Sequence, residues 1–313
     1  MSTLHLPAIG GTIDIMTPFL LAAIGGLYSS LAGVLNIALE GLMLFSAFFS
    51  VVITAATGNL LLGILGGVLA TLLLTALFGS ISLGLRANIF ICGLATNLLA
   101  SALSTVLSLF IYGQTGSVSF PDMPVLKPVR MPFLSGIPVL GDIVADHNVL
   151  VYVSWLLLAA SIVVIYRTPF GMRLRAVGHN PRAAFALGID PKRYQFVSLL
   201  ISGFACALGG SVLTLTLGAF VPNVSSGRGW IALVIIYLGR RTPLGILLGS
   251  IVFGLVEFAS NALQATSSIP AGLLLAMPFF VTVLALIAYS LIEANVRRGR
   301  LRASRGGAAA GRG

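Results

Sequence analysis

Apolar runs long enough to cross a lipid bilayer recur along almost the whole chain, at 13–33, 37–57, 59–79, 88–111, 148–166, 195–221, 243–263 and 271–292. A transmembrane helix needs about 20 mostly apolar residues, because only a hydrogen-bonded helix or a closed barrel satisfies the backbone in lipid. Hydrophobic residues make up 58% of the 313 positions and charged ones 8%, against roughly 25% charged in an average soluble domain. A water-soluble fold is excluded. The expectation is an all-α polytopic membrane protein of about eight to ten crossings packed as one domain.

One apolar piece, Gly229 to Gly239, is too short to cross alone. Such a piece reads as one arm of a broken helix, tolerated at membrane depth where protein or a cavity covers its backbone. The 36 glycines fit helices that associate by close backbone approach at small residues. Gly63 with Gly67, Gly245 with Gly249, and Gly203 with Ala207 have the small-xxx-small spacing. Leu62-Gly63-Ile64-Leu65-x-Gly67 recurs as Leu244-Gly245-Ile246-Leu247-x-Gly249, and the charge pattern puts the two copies in opposite orientations. This is the inverted-repeat plan of many transporters.

The net charge of +10 is topological and does not point to nucleic acid. Arg167, Arg173, Arg175, Arg182, Lys192 and Arg193 share one connection, and Arg297, Arg298, Arg300, Arg302, Arg305 and Arg312 share the tail. Both clusters adjoin membrane ends, where the positive-inside rule predicts the cytoplasmic face. Arg86, Arg240 and Arg241 mark the same side. The organisation expected is a single transmembrane domain over 1–296, with an external loop at 112–147, a cytoplasmic loop at 167–193, and a basic disordered tail at 297–313 whose C-terminus is cytoplasmic. The external loop holds Pro121, Pro124, Pro128, Pro132 and Pro138, which predicts an irregular, extended segment. It either docks an external partner or simply connects two helices. Before its first apolar run the N-terminus has no basic residue, unlike a cleaved secretory signal; the side on which it lies stays open.

Several chemistries have no motif here. No Gly-Lys pair forms a Walker A phosphate loop, and no Gly-x-Ser-x-Gly elbow is present. His5, His147 and His179 are dispersed and lack partners at metal-ligand spacing. Cys92 and Cys206 lie inside apolar runs and read as small buried hydrophobes. The sequence therefore predicts no catalytic residue, no metal site and no cofactor held by this chain.

What remains are polar groups within spans. A carboxylate at the bilayer centre costs on the order of 2.5–3.5 kcal/mol on insertion scales, so Glu40 and Glu257 each require a partner or a wet cavity. Asn36 lies four residues before Glu40 and Asn261 four after Glu257, which in a regular helix puts each pair on one face. Asn97 adds an amide to the fourth span, as does Asn88. These groups either line a polar path or hold the bundle together by hydrogen bonds averaging about 0.6 kcal/mol each.

The 167–193 connection is more than a linker. Asn180 is a good N-cap, Pro181 suits the first helical position, and Gly188 supplies a stop. Between them Ala183, Ala184, Phe185, Ala186 and Leu187 form about two turns. A short apolar helix in an aqueous loop needs a surface to cover it, either an ATPase groove or the membrane interface.

At this point three segments resemble a known family. GMRLRAVGHNPRAAFALGID resembles the coupling region of ABC importer permeases of the branched-chain amino acid, ribose and nucleoside class. GRGWIALVIIYLGRRTPLGILLGSIVFG resembles its second characteristic region, and Asn36-Ile37-Ala38-Leu39-Glu40-Gly41, within GGLYSSLAGVLNIALEGLMLFSAFFS, looks like the nucleoside and simple-sugar branch. The resemblance covers roughly 20–293. It implies a fold like that of type II importers, a second and non-identical permease subunit, a separate ATPase that uses ATP and Mg, and an extracytoplasmic substrate-binding protein. It further implies an ATPase contact at Arg173, Arg175, Ala176, Gly178, Asn180, Pro181, Ala183, Ala184 and Gly188, and a broken-helix element near the pathway at Asn36, Glu40 and Gly41. Asn97, Glu257 and Asn261 are further pathway candidates. His179 stands where the family commonly has an acidic or polar residue. The basic tail could also contact anionic membrane lipid.

The function expected is import of nucleosides or simple sugars by alternating access across a bacterial or archaeal cytoplasmic membrane. The alternatives are a branched-chain amino acid permease of the same class, or an ion-coupled secondary transporter that uses Glu40 and Glu257.

Overall fold

The computed structural model describes residues 6–129, 145–266 and 270–287. Two compact units divide after Phe258. In chain order the helices of the first are α1 (Leu6–Leu31), α2 (Leu39–Thr57), α3 (Leu60–Gly79), α4 (Ile89–Tyr112), α5 (Val149–Arg167), α6 (Pro169–His179), α7 (Pro181–Ala186), α8 (Pro191–Leu217), α9 (Arg228–Leu238) and most of α10 (Pro243–Thr266). A π-helical turn, Ser80–Gly84, prolongs α3. In the second unit α11 (Ala271–Leu275) opens an apolar helical stretch, Gly272–Ile287, and Ser260 Oγ donates to the Leu274 carbonyl.

Among the described residues seven helices are long and apolar enough to span a membrane, and Arg228–Leu238 and Gly272–Ile287 are apolar but shorter. The chain is thus a multi-pass membrane protein. Seven of the eight expected runs are spanning helices with shifted ends, whereas the described part of the eighth, Gly272–Ile287, is shorter than a span. Helix α8 starts at Pro191, not 195, because Asp190 caps Lys192 N (3.0 Å) and proline occupies the first turn. It stops at Gly218, which takes φ +65°. The tail at 297–313 and residues 288–292 of the last run lie outside the described residues.

Two spatial contacts settle which end of α1 is which. Its last turn meets Gly178 of α6, while Asp14 pairs with His147 at 2.9 Å. Helix α1 therefore begins on the side of the 112–147 segment and ends on the side of the 167–193 connection. That 112–147 segment is not wholly irregular. Its strand β1 (Val118–Ser119) pairs antiparallel with β2 (Ala219–Phe220), Val118 opposite Phe220, and Leu126 N donates to Leu215 O (2.9 Å). Residues 130–144 of it lie outside the described set.

Helices α1, α2, α3 and α8 form the centre. Along the α2–α8 seam, Ser46 Oγ donates to Ala207 O (2.6 Å), Ser50 and Ser211 share a hydrogen bond (2.7 Å), and Thr214 Oγ1 donates to Ala47 O (2.8 Å). A Cβ on Gly210 would overlap the α2 backbone. Close backbone approach and hydroxyl pairing thus replace the hydrophobic drive that lipid cannot supply.

The inverted repeat is visible in this packing. Gly63 and Gly67 of α3 face Ser50 and Thr54 of α2, and Gly245 and Gly249 of α10 face Gly239 and Ile235 around α9. Helix α3 runs toward the α6 side, where Gly79 meets Phe196, whereas α10 runs toward the opposite side, where Gly254 meets Thr12 and Met16. A second echo accompanies it: Ala23-Ile24-Gly25-Gly26 in α1 matches Ala207-Leu208-Gly209-Gly210 in α8. Gly25 packs on α8 and Gly209 on α1.

Candidate functional site: two interrupted helices and an exposed apolar helix tip

Residues 32–38 leave the helix and return the chain into the bundle. Gly33, at φ +78°, ends α1, and Val34 N donates back to Ser29 O (2.9 Å). Asn36 then fixes the turn: its Oδ1 accepts from Ala38 N (3.1 Å) and its Nδ2 donates to Ser202 Oγ (2.9 Å). Asn36 and Glu40 therefore do not share a helical face, since α2 begins only at Leu39. Asn97 supports the new helix from α4, accepting from Gly41 N (2.8 Å) and donating to Ile37 O (3.0 Å). It satisfies one of the orphan N–H groups of a helix start. Gly41 lacks a Cβ because Asn97 Cα would lie 2.7 Å from it.

Glu40 is the centre of this junction. The residue is 9% exposed. Oε1 accepts from Ser225 Oγ (2.6 Å) and Gly227 N (2.8 Å), and Oε2 accepts from Gly229 N (2.7 Å). These donors belong to the 221–228 segment and the first turn of α9. A side chain in the first turn of α2 thus also caps the start of α9, accepting from backbone N–H groups that have no partner within their own helix. A Cβ at Gly229 would overlap the Glu40 backbone, so glycine there is a condition of the clamp.

Next to it, Arg228 donates through Nη1 to Val224 O (2.8 Å) and through Nη2 to Glu257 of α10. The pair is largely shielded, 22% and 12% exposed. Both intramembrane carboxylates therefore rest on protein donors. The arrangement is a set of polar clasps between α2, α4, α9 and α10.

On the α6–α7 side, the connection expected as a loop with one short helix is helical almost throughout. Thr168 caps α6, accepting from Gly171 N (3.3 Å), with Pro169 in the first turn. Asn180 ends α6 and caps α7, accepting from Ala183 N (3.1 Å). Gly188, at φ +78°, closes α7 while Ile189 N donates to Ala184 O (3.0 Å). Leu174, Val177 and Ala184 are buried, whereas Phe185 is 70% and Leu187 81% exposed. Arg173 donates to Tyr194 Oη (3.3 Å), and the Arg175 guanidinium lies 5.4 Å above the Tyr166 ring. Gly178 faces inward: a Cβ there would overlap Leu31 O and sit 3.0 Å from Gly33 N.

Residues 9–286 match the family model of the branched-chain amino acid transport system / permease component. The chain belongs to that family. It is 32% identical over 294 residues, 90% of this chain and 91% of the relative, to the guanosine ABC transporter permease protein NupQ of Bacillus subtilis (strain 168). It is 31% identical over 283 residues, 86% and 88% of the two chains, to the nucleoside ABC transporter permease protein NupC of Lactococcus lactis subsp. cremoris (strain MG1363). A solved ABC transporter in an inward-facing conformation shares the fold with a TM-score of 0.54 at 20% identity, covering 90% of this chain and 86% of that one.

Within this permease, four of the pathway candidates, Asn36, Glu40, Gly41 and Asn97, come together at one junction. Glu257 reaches the same α9 start through Arg228. Asn261 is exposed on the last turns of α10, in the second unit. Of the coupling candidates, Arg173, Arg175, Ala176, Asn180, Pro181, Ala183 and Gly188 are exposed, Ala184 is buried beneath α7 and Gly178 is half-buried. Sequence reasoning missed Ser225, Gly227 and Arg228 as partners. Their signal was a Gly-Arg-Gly run opening an apolar helix too short to span, the pattern that marks discontinuous transporter helices.

Proposed function

We propose that this permease is the membrane-spanning subunit of an ATP-driven importer of nucleosides. The observation that carries the coupling part is the exposed apolar tip of α7, Phe185 and Leu187, held rigid by caps at both ends. The cargo rests on the full-length similarity to guanosine and nucleoside permeases. A separate ATPase receives the α7 tip, with Arg173 and Arg175 beside it, and hydrolyses ATP with Mg; this chain holds no cofactor of its own. A second permease subunit completes the path, and an extracytoplasmic binding protein delivers the nucleoside on the 112–147 side. The basic 167–193 connection and the C-terminus then face the cytoplasm, following the positive-inside rule.

Movement of α7 travels through α6 to the Gly178–Gly33 contact and on to the 32–38 turn. Glu40, at the end of that turn, holds the α9 start. Alternating access is the exchange of two arrangements of these interrupted helices, biased by the ATPase on one side and the binding protein on the other. A proton-coupled carrier is a poorer fit, because Glu40 and Glu257 are each engaged as acceptors.

Uptake of labelled guanosine, uridine, ribose and leucine in cells with and without this gene tests the reading. Loss of nucleoside uptake that depends on ATP and survives collapse of the proton gradient is expected. Uptake that follows the gradient and survives ATP depletion would overturn it. Phe185→Asp places a charge on the docking tip, and loss of a buried aromatic anchor typically costs 2 kcal/mol or more. Co-purification of the ATPase is therefore expected to fall by about 30-fold or more, with the permease itself still folded.

A further inference from the structure

We propose that a recess between the end of α3 and the start of α8 binds the headgroup of an anionic phospholipid. The two helices touch at Gly79, where a Cβ would come 2.9 Å from the Phe196 ring. Beyond that point α3 widens into the Ser80–Gly84 π turn, with Leu85 N donating to Ser80 O (3.2 Å), and nothing lies within 4 Å of a Cβ built on Gly84. The opening is about 340 Å³. Single π turns of this kind recur at functional positions.

The lining has two chemistries. Leu83 and Phe196 are apolar, Lys192 and Arg193 are cationic, and Ser80 adds a neutral hydroxyl. No carboxylate is among the lining residues, and the adjacent Asp190 is engaged in capping α8. Two cations on one recess that no carboxylate lines call for an anion.

Its position selects the kind of anion. The recess lies where one span, Leu60–Gly84, ends and another, Pro191–Leu217, begins, at the level where headgroups sit. Leading away from it along α3, Leu77, Leu73 and Leu69 form an exposed stripe at four-residue spacing, 50%, 73% and 63% exposed. An acyl chain fits that stripe while its phosphate meets Lys192 and Arg193. A soluble phosphate would use the cations alone. Basic pockets between helices at a membrane surface hold acidic headgroups in this way.

The test uses the assembled transporter, stripped of lipid in detergent and offered phosphatidylglycerol and phosphatidylcholine in competition, with bound lipid read by native mass spectrometry. Retention of phosphatidylglycerol over phosphatidylcholine is expected, falling about tenfold or more in Lys192→Gln/Arg193→Gln, since both cations that meet the phosphate are then lost. Leu73→Gln/Leu77→Gln should also weaken phosphatidylglycerol binding, and millimolar inorganic phosphate should not displace it. Equal retention of the two lipids by the wild-type complex would overturn the proposal, whether or not the glutamine variants assemble. Displacement by inorganic phosphate, with no effect of the leucine changes, would overturn it in favour of a free-anion site.

Discussion

Replacing Glu40 with alanine is expected to loosen the junction of α2 and α9 and abolish transport. The change strands three donors that now share one carboxylate: Ser225 Oγ, Gly227 N and Gly229 N. A buried donor left unpaired costs about 1–3 kcal/mol, and hydrogen bonds to a charged acceptor lie at the upper end. A loss of about 3–5 kcal/mol follows, in line with removing one partner from a buried ionic cluster. Thermal unfolding of the purified complex and uptake in the deletion strain both report it. Glu40→Gln keeps the size and one acceptor oxygen but turns an amide N–H₂ toward a backbone N–H. It should therefore fold better than the alanine variant and still transport poorly. If Glu40 instead contributed only a substrate contact, both variants would keep wild-type thermal stability and lose uptake alone.

The second large effect concerns Gly178. A methyl group there overlaps Leu31 O and crowds Gly33 N, so Gly178→Ala must push α6 off the end of α1. Overpacking of this kind costs about 1–3 kcal/mol. The expected result is uptake lowered about tenfold or more, while the ATPase still co-purifies and still hydrolyses ATP. Gly188→Ala is the comparison. Gly188 has nothing within 4 Å of its Cβ position but sits at φ +78°, so its cost is the left-handed backbone alone, roughly 1–2 kcal/mol, confined to the end of α7. A defect in Gly188→Ala should weaken ATPase binding, and one in Gly178→Ala should separate hydrolysis from transport. Were the two variants to fail in the same way, the α6–α1 contact would carry no signal of its own.

The legible parts of this fold are those written in local chemistry. Runs of apolar residues located the spans, and Asn180-Pro181 and Gly188 marked α7 because caps and stops act within a few residues. The same grammar was present at Thr168-Pro169 and Asp190-Pro191, where it opens α6 and α8; those starts were obscured by the charged residues around them, which read as loop. Glu40 and Glu257 stood out because a lone carboxylate in lipid demands a partner. Which partner was not legible: Gly227 and Gly229 lie 187 and 189 residues from Glu40, and only the return of α8 and its following turn into the bundle brings them near. The 36–40 spacing misled for a related reason. Four residues imply one face only inside a helix, and Gly33 with the Asn36 turn breaks the helix there.

The inverted repeat lies between these cases. Leu-Gly-Ile-Leu at 62 and 244 was readable, and its orientation followed from charge. Ala-Ile-Gly-Gly in α1 and Ala-Leu-Gly-Gly in α8 carried the same message, yet two paired glycines in a glycine-rich chain become informative only when each pair is seen pressed against the other helix.

The most direct test of the account is transport by the purified assembly in sealed liposomes, with the ATPase, the second permease, and the binding protein supplied on the 112–147 side. Labelled guanosine entering only when ATP and Mg are present on the ATPase side, unaffected by a protonophore and lost with Phe185→Asp, is the result predicted. Guanosine entry driven by a proton gradient without ATP, or retained in full by Phe185→Asp, would contradict it.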